Sequence, residues 1–188
     1  MIDSVIERSG VSRRQFDAVA VGQGPGSFTG LRIGIGVAQG IAYGAGCPMI
    51  GVSSLTALAQ QAVWLAPSTE AVWAAIDARM GEIYFARYQN LGGSLTQDGA
   101  TLLLAPGAIP TDEWSNNVAL AGNAWAEYRE QLGADLPDQA LPNNECLLPN
   151  ASAVLSLANL DFANQRWIDP KLFEPDYVRN NVAKVKGE

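Results

Sequence analysis

The chain has 188 residues, 48% of them hydrophobic, and a mean hydropathy near zero, so it is long enough to bury a core and suits one or two small globular domains. It contains no histidine, which excludes Ser-His-Asp and Cys-His catalysis, histidine-ligated zinc and the H-E-x-x-H proteases. Its formal net charge of -7 does not advertise the basic face with which a protein normally grips nucleic acid unaided, so any role with RNA is expected to be indirect.

Residues 1–16 are polar and amphipathic, without the form of a signal peptide, which points to the cytoplasm. Apolar positions 2, 5 and 6 followed by Gly10 predict the last turns of a helix over 2–9. "FDAVAVG" (16–22) is a continuous apolar run of the kind found in a strand covered on both faces. A helix from about 29 to 44 follows, then a strand at "PMIGVSS" (48–54) and a helix at "LTALAQQAVWL" (55–65) that Ser53 or Ser54 can cap. Strand, helix, strand, helix implies parallel pairing. A chain that opens this way leaves one edge of its first strand open, to be filled by later strands or by residues missing from the N-terminus. The most apolar stretch, 31–50, carries Arg32, Gln39, Pro48 and several glycines, which argues against a membrane span.

"APSTE" (66–70) marks a boundary, dividing a first lobe over 1–67 from a second over 68–188 whose tail packs back on the first. In the second, "AVWAAID" and "EIYFARY" flank "ARMG" and predict a hairpin turning at Gly81. "ATLLLAP" (100–106) and "NVALAG" (117–122) read as strands, and "AWAEYREQL" and "ASAVLSLANL" as helices. "EPDYVRNN" (174–181) reads as an ordered tail anchored by Tyr177. The two cysteines, Cys47 and Cys146, fit buried thiols in a reduced compartment.

"GQGPGSFTG" (22–30) raises the question of phosphate binding. A Walker A loop fails, because its second glycine falls on Ser27 or Thr29, and the three lysines, Lys171, Lys184 and Lys186, all lie near the C-terminus. The dinucleotide fingerprint fails on the same positions and lacks its acidic ribose partner. Ser27 and Thr29 remain able to cap the helix, and its free amides to attract an anion, but a glycine-permitted strand-to-helix turn is the favoured reading.

The helix after this turn carries Gly36, Gly40 and Gly44 at intervals of four, so they share one face with Thr29, Ile33 and Tyr43. Leu31, Gly34, Ala38, Ile41 and Ala45 line the opposite face, and a helix apolar all round is expected to be buried all round. The glycine face then packs either within the chain, against the helix over 2–9, or on another protein. Asp77, Arg79 and Glu82 could form a catalytic set in the hairpin, although charges at a tight turn are usually a solvated ion-pair group. Trp114, Trp125 and Trp167 are too scattered for a base-stacking platform and read as core or edge residues.

"GQGPGSFTGLRIGIGVAQGIAYG", "PMIGVSSL", "AAIDARMGEIYFARY" and "PDYVRNN", in this order, strongly resemble the bacterial TsaB family, also called YeaZ. The resemblance spans nearly the whole chain, with little of it between 92 and about 170. It implies an α/β, two-lobed ASKHA (actin-like ATPase, RNase H-like) fold, related to the catalytic protein TsaD but without a competent nucleotide site. It also implies a part in threonylcarbamoyl transfer to the adenosine beside the anticodon of ANN-decoding tRNAs (t6A formation). In that family TsaB is the non-catalytic partner. It binds TsaD through the helices of its first lobe and self-associates through the same surface, while TsaE joins the pair and TsaC supplies threonylcarbamoyl-adenylate. The family is also catalogued with M22 glycopeptidase homologues, yet no histidine is present here to hold a metal. Members begin with a strand bearing an "AIDT"-like motif and a meander, whereas this chain starts inside the first helix, so its first lobe is expected to lack N-terminal strands through a truncated or misassigned start.

The partner interface is expected to use Ile2 and Ile6 of the first helix and Thr29, Arg32, Ile33, Gly36, Gly40, Tyr43 and Gly44 of the second. Ser27 and Thr29 are the anion-binding candidates, and neither a catalytic residue, a metal nor a cofactor is expected. Two rival readings stand beside this one: an ASKHA-type ATPase or phosphotransferase using Asp77 and the helix N-terminus at Thr29, and a plain homodimeric binding module.

Overall fold

In a computed structural model that describes residues 2–110, 117–132 and 146–178, the alternation read from the sequence becomes two sheets with helices between and outside them. Trp114, Lys184, Lys186 and positions 179–181 of the tail lie outside the described residues.

After helix α1 (Ile2–Ser9), strand β1 (Val19–Gly24) pairs in parallel with β2 (Met49–Ser53), Val19 lying opposite Met49 and Val21 opposite Gly51. The crossover is helix α2 (Phe28–Ala45), closed by Gly46 in the left-handed conformation at φ 74°. Ile35, Ala38 and Ala42 of α2 pack with Met49 and Phe173 on one face of this sheet. On the other face, Ile50 and Val52 meet Ala153 and Ala158 of helix α6 (Ala151–Ala163). Among the described residues no strand pairs with the far edge of β1. The outer edge of β2 is covered at one point, where Met49 and Ile168 exchange two backbone hydrogen bonds of 2.9 Å.

Helix α3 (Ser54–Leu65), capped by Ser53, lies between the two sheets and is buried from Ser54 to Val63 except at Thr56. Its buried Gln61 is satisfied at both ends: Nε2 donates to the Leu148 carbonyl at 3.1 Å, and Oε1 accepts from the Asn150 amide at 2.7 Å. The second sheet has the order β5 (Ser94–Leu104), β4 (Glu82–Leu91), β3 (Ala71–Arg79), β6 (Val118–Ala121), antiparallel except that β6 runs parallel to β3. Strand alternation divides β3 cleanly. Val72, Ala74, Ile76 and Ala78 face α3, while Trp73 and Ala75 face the opposite core. There Phe85 sits edge-on to Trp73 and to Trp125 of helix α4 (Ala124–Glu127).

Several expectations need correction. The helix buried on all sides is α3, not α2: only Ile35, Ala38 and Ala42 of α2 are buried. The physical reason is layer position, since α3 is enclosed by two sheets and α2 covers only one. "AWAEYREQL" forms two short helices, α4 and α5 (Arg129–Leu132), separated at Tyr128. β1 starts at Val19 rather than residue 16, and β5 begins before "ATLLLAP", at Ser94. The hairpin does turn at Gly81, with Arg79, Met80 and Gly81 all at positive φ.

Among the described residues no helix is long and apolar enough to cross a membrane. Both cysteines are buried free thiols, and Cys146 donates from Sγ to the Leu58 carbonyl at 3.5 Å. Burial pushes the Cys146 thiol up to about 11 from 9.0. A folded-state value above the unfolded one favours the folded chain fully below pH 9, and that contribution is lost as pH rises through about 11. Urea titrations across this window should show a steeper loss of stability for the wild type than for Cys146→Ala.

Candidate functional site

The turn before α2 is built by the N-cap Ser27, whose Oγ accepts from the Gly30 amide at 3.4 Å. Thr29 lies inside the first turn, exposed, and takes no part in the cap. From there the outward face of α2 carries Thr29, Arg32, Ile33, Gly36, Gly40, Tyr43 and Gly44, all exposed, with Ile33 and Tyr43 at 65% and 66%. The expected interface positions on α2 therefore do share one open face. Val37, 45% exposed, belongs with them; it follows Ile33 by four residues, the spacing that places two side chains on one helix face.

A Cβ built on Gly34, Gly36, Gly40 or Gly44 meets nothing within 4 Å. Close packing within the described chain thus requires none of these glycines. The alternative of α1 packing on the stripe is not realised, because α1 buries none of its residues. It is instead tethered by an ion pair from Asp3 to Arg13, in a 3-10 turn (Arg13–Gln15) that packs beside α2. Ile2 is exposed and Ile6 half-buried.

The C-terminal segment straps this region in place. Gln39 of α2 donates through Nε2 to the carbonyls of Pro170 and Phe173 at 2.8 and 3.1 Å. Gln23 donates to the Glu174 carbonyl at 2.9 Å and accepts from the Asp176 amide at 2.9 Å. Gly51 permits this approach, since a Cβ there would lie 2.0 Å from Gln23 Oε1 and 2.9 Å from Phe173 Cζ. Tyr177 accepts from Arg32 Nε at 3.0 Å, so it anchors the tail as expected. The roles of Gln23 and Gln39 escaped the sequence reading, because glutamines partnered with carbonyls some 130 to 150 residues away leave no local signal.

A cleft of about 410 Å³ lies beside α2 and joins three stretches singled out in the sequence: Gly26 to Thr29, Asp77 to Arg79, and Asp176 to Tyr177. Asp77 is 5% exposed rather than solvated, contrary to expectation for a turn, and its oxygens are engaged. Oδ1 accepts from the Tyr128 hydroxyl and the Arg79 amide, each at 2.8 Å, and Oδ2 pairs with Arg79 Nη1 at 3.0 Å. Asn123 Oδ1 accepts from the Asp77 amide at 3.1 Å. The hydrogen bond to Asp77 raises the Tyr128 phenol above its ordinary value of 10.0. Among the described residues no cluster of acids and cysteines could hold a metal ion. The Asp77 cluster closes the hairpin against α4, which gives it a structural use. Asp77→Ala should cost about 1–2 kcal/mol in urea unfolding by stranding its donors, whereas Arg79→Ala, whose side chain is 84% exposed, should change stability by under about 0.5 kcal/mol.

Comparison with known proteins agrees with this architecture. The family model described as TsaD, tRNA N6-adenosine threonylcarbamoyltransferase, matches residues 1–187. The tRNA threonylcarbamoyladenosine biosynthesis protein TsaB of Escherichia coli K12 is 41% identical over 99% of this chain and 80% of its own length. The protein of the same name from Haemophilus influenzae is 37% identical with the same coverage. The solved structure of YeaZ from Pseudomonas aeruginosa superimposes with a TM-score of 0.83 at 37% identity, covering 95% of this chain and 82% of that one. The fold is therefore of the ASKHA-like α/β class. The chain belongs to the TsaB (YeaZ) family.

Proposed function

We propose that this chain acts in tRNA threonylcarbamoyladenosine biosynthesis as a non-catalytic scaffolding subunit that docks on TsaD through the exposed face of α2. The observation that carries the reading is the pairing of an apolar, glycine-striped helix face, uncovered within the described chain, with relatives named for this pathway. Large side chains at Ile33, Val37 and Tyr43 supply apolar contact, and the glycines let a partner helix approach closely. Ile2 and Ile6 of α1 extend the surface, and the same face serves self-association when TsaD is absent. TsaE joins the TsaD-bound form. The net charge of -7 favours an indirect relation to tRNA. The setting is cytoplasmic, and the docking face belongs to a first lobe over 1–67.

One observation favours a second reading, an ATPase or phosphotransferase. The cleft brings Asp77 to the N-terminal turn of α2 at Ser27 and Thr29. Its weakness is that Asp77 is taken up by Tyr128 and Arg79, and among the described residues no lysine lines the cleft. ATP turnover by the isolated chain that disappears in Asp77→Asn would establish it.

Gly40→Leu separates docking from folding. The new side chain projects into open space and replaces a poor helix former, so the isolated chain should gain up to about 1 kcal/mol in urea unfolding. Co-purification with TsaD should be lost. An intact complex with Gly40→Leu would contradict the assignment of the face.

A further inference from the structure

We propose that Arg32 is a carboxylate receptor at the N-terminal end of the docking face, held ready by the C-terminal segment, and that it engages an aspartate or glutamate of the partner protein. The inference rests on the docking reading above and adds the chemistry of the group recognised.

Arg32 is the only charged side chain on α2. Its guanidinium carbon lies 4.0 Å from the centroid of the Phe28 ring and 5.9 Å from that of Tyr177, and the two rings are themselves 5.9 Å apart. Nε donates to the Tyr177 hydroxyl at 3.0 Å. The planar group is thus fixed by two aromatic rings and one hydrogen bond. Its two terminal nitrogens have no hydrogen-bond or ion-pair partner among the described residues. A guanidinium held in this way presents a two-pronged donor edge and gives up little freedom when a carboxylate arrives.

Beside it is an open hollow of about 380 Å³, walled by Arg32, Ile35, Gln39, Phe173, Glu174 and Tyr177. Among the described residues Glu174 is the one carboxylate there. It makes no ion pair with Arg32, while its main chain is fixed through the carbonyl that accepts from Gln23. The hollow, of mixed polar and apolar lining, therefore offers an incoming acidic side chain a cation whose terminal nitrogens are unpaired among the described residues. Exposed Phe28 and Ile33 flank the site and can exclude water around the pair once a partner is seated.

The charge pattern also selects the occupant. α2 has neither aspartate nor glutamate, so a second copy docked α2 to α2 brings no carboxylate of that helix to Arg32; the acids it carries nearby are Asp3 and Glu7 on α1 and Glu174 and Asp176 on the strap. The carboxylate is therefore assigned to a helix of a different protein facing α2, and Arg32 favours that partner over an α2-to-α2 pairing of two copies. Tyr177 is a positioning residue: it acts by fixing the Arg32 fork and tying it to the strap.

The test is calorimetric titration of the full chain with TsaD of the same organism, at low and high salt, with thermal unfolding run on every variant. Arg32→Gln should weaken the complex about 10-fold or more and remove most of its salt dependence. Arg32→Lys should restore only part of the affinity, because a point charge lacks the fork. Tyr177→Phe should weaken binding about 2- to 5-fold without a shift in unfolding temperature, and Glu174→Gln should tighten it. One TsaD carboxylate, changed to its amide, should cost nothing further in the Arg32→Gln background. Wild-type affinity and salt dependence in Arg32→Gln would overturn the receptor while leaving the docking face standing. Loss of self-association in place of TsaD binding would overturn the choice of partner. Absence of any complex with the wild-type chain would overturn the docking reading and this inference together.

Discussion

Three glycines at successive turns of an exposed helix are the constraint on which the rest depends. Each costs a helix interior about 1 kcal/mol relative to alanine, and at Gly36, Gly40 and Gly44 no neighbouring atom requires the missing side chain. The free chain therefore carries a cost that nothing in its described part offsets. Such a stripe makes physical sense when another surface comes close enough to touch the helix backbone.

Much of the surrounding structure keeps that helix from moving. Ile35, Ala38 and Ala42 seat it on the first sheet, Ser27 and Gly46 close its ends, and Gln39 binds it to the C-terminal segment. That segment is fastened in turn to the strand-to-helix turn by Gln23 and Asp176. A rigid, pre-positioned face loses little on docking. The cleft next to it is organised differently. Its most buried acid, Asp77, holds a hairpin turn and a short helix together, so the polar groups that would serve chemistry are already in use for stability.

The sequence disclosed the elements and misjudged their surroundings. The two strand-like runs flanking the glycine at the hairpin turn disclosed the β3–β4 pair directly, because turn chemistry is local, whereas the order of the sheet and the start of β5 at Ser94 were not read. The exposed face of α2 was visible as a stripe. Whether the stripe was covered was not, because α2 and α3 are both apolar and only their layer position separates a buried helix from a half-exposed one. Hydrophobicity counts side chains; it does not count neighbours. The strap was legible as far as Tyr177, but Gln23, Gln39 and Gly51 owe their roles to a close approach between segments well over a hundred residues apart.

The most direct measurement is reconstitution of threonylcarbamoyladenosine on an ANN-decoding tRNA with TsaC, TsaD and TsaE, with and without this chain. A non-catalytic scaffold predicts that modification requires the chain and that Asp77→Asn supports it as well as the wild type. Modification at an undiminished rate without the chain, or its loss in a correctly folded Asp77→Asn chain, would contradict the account.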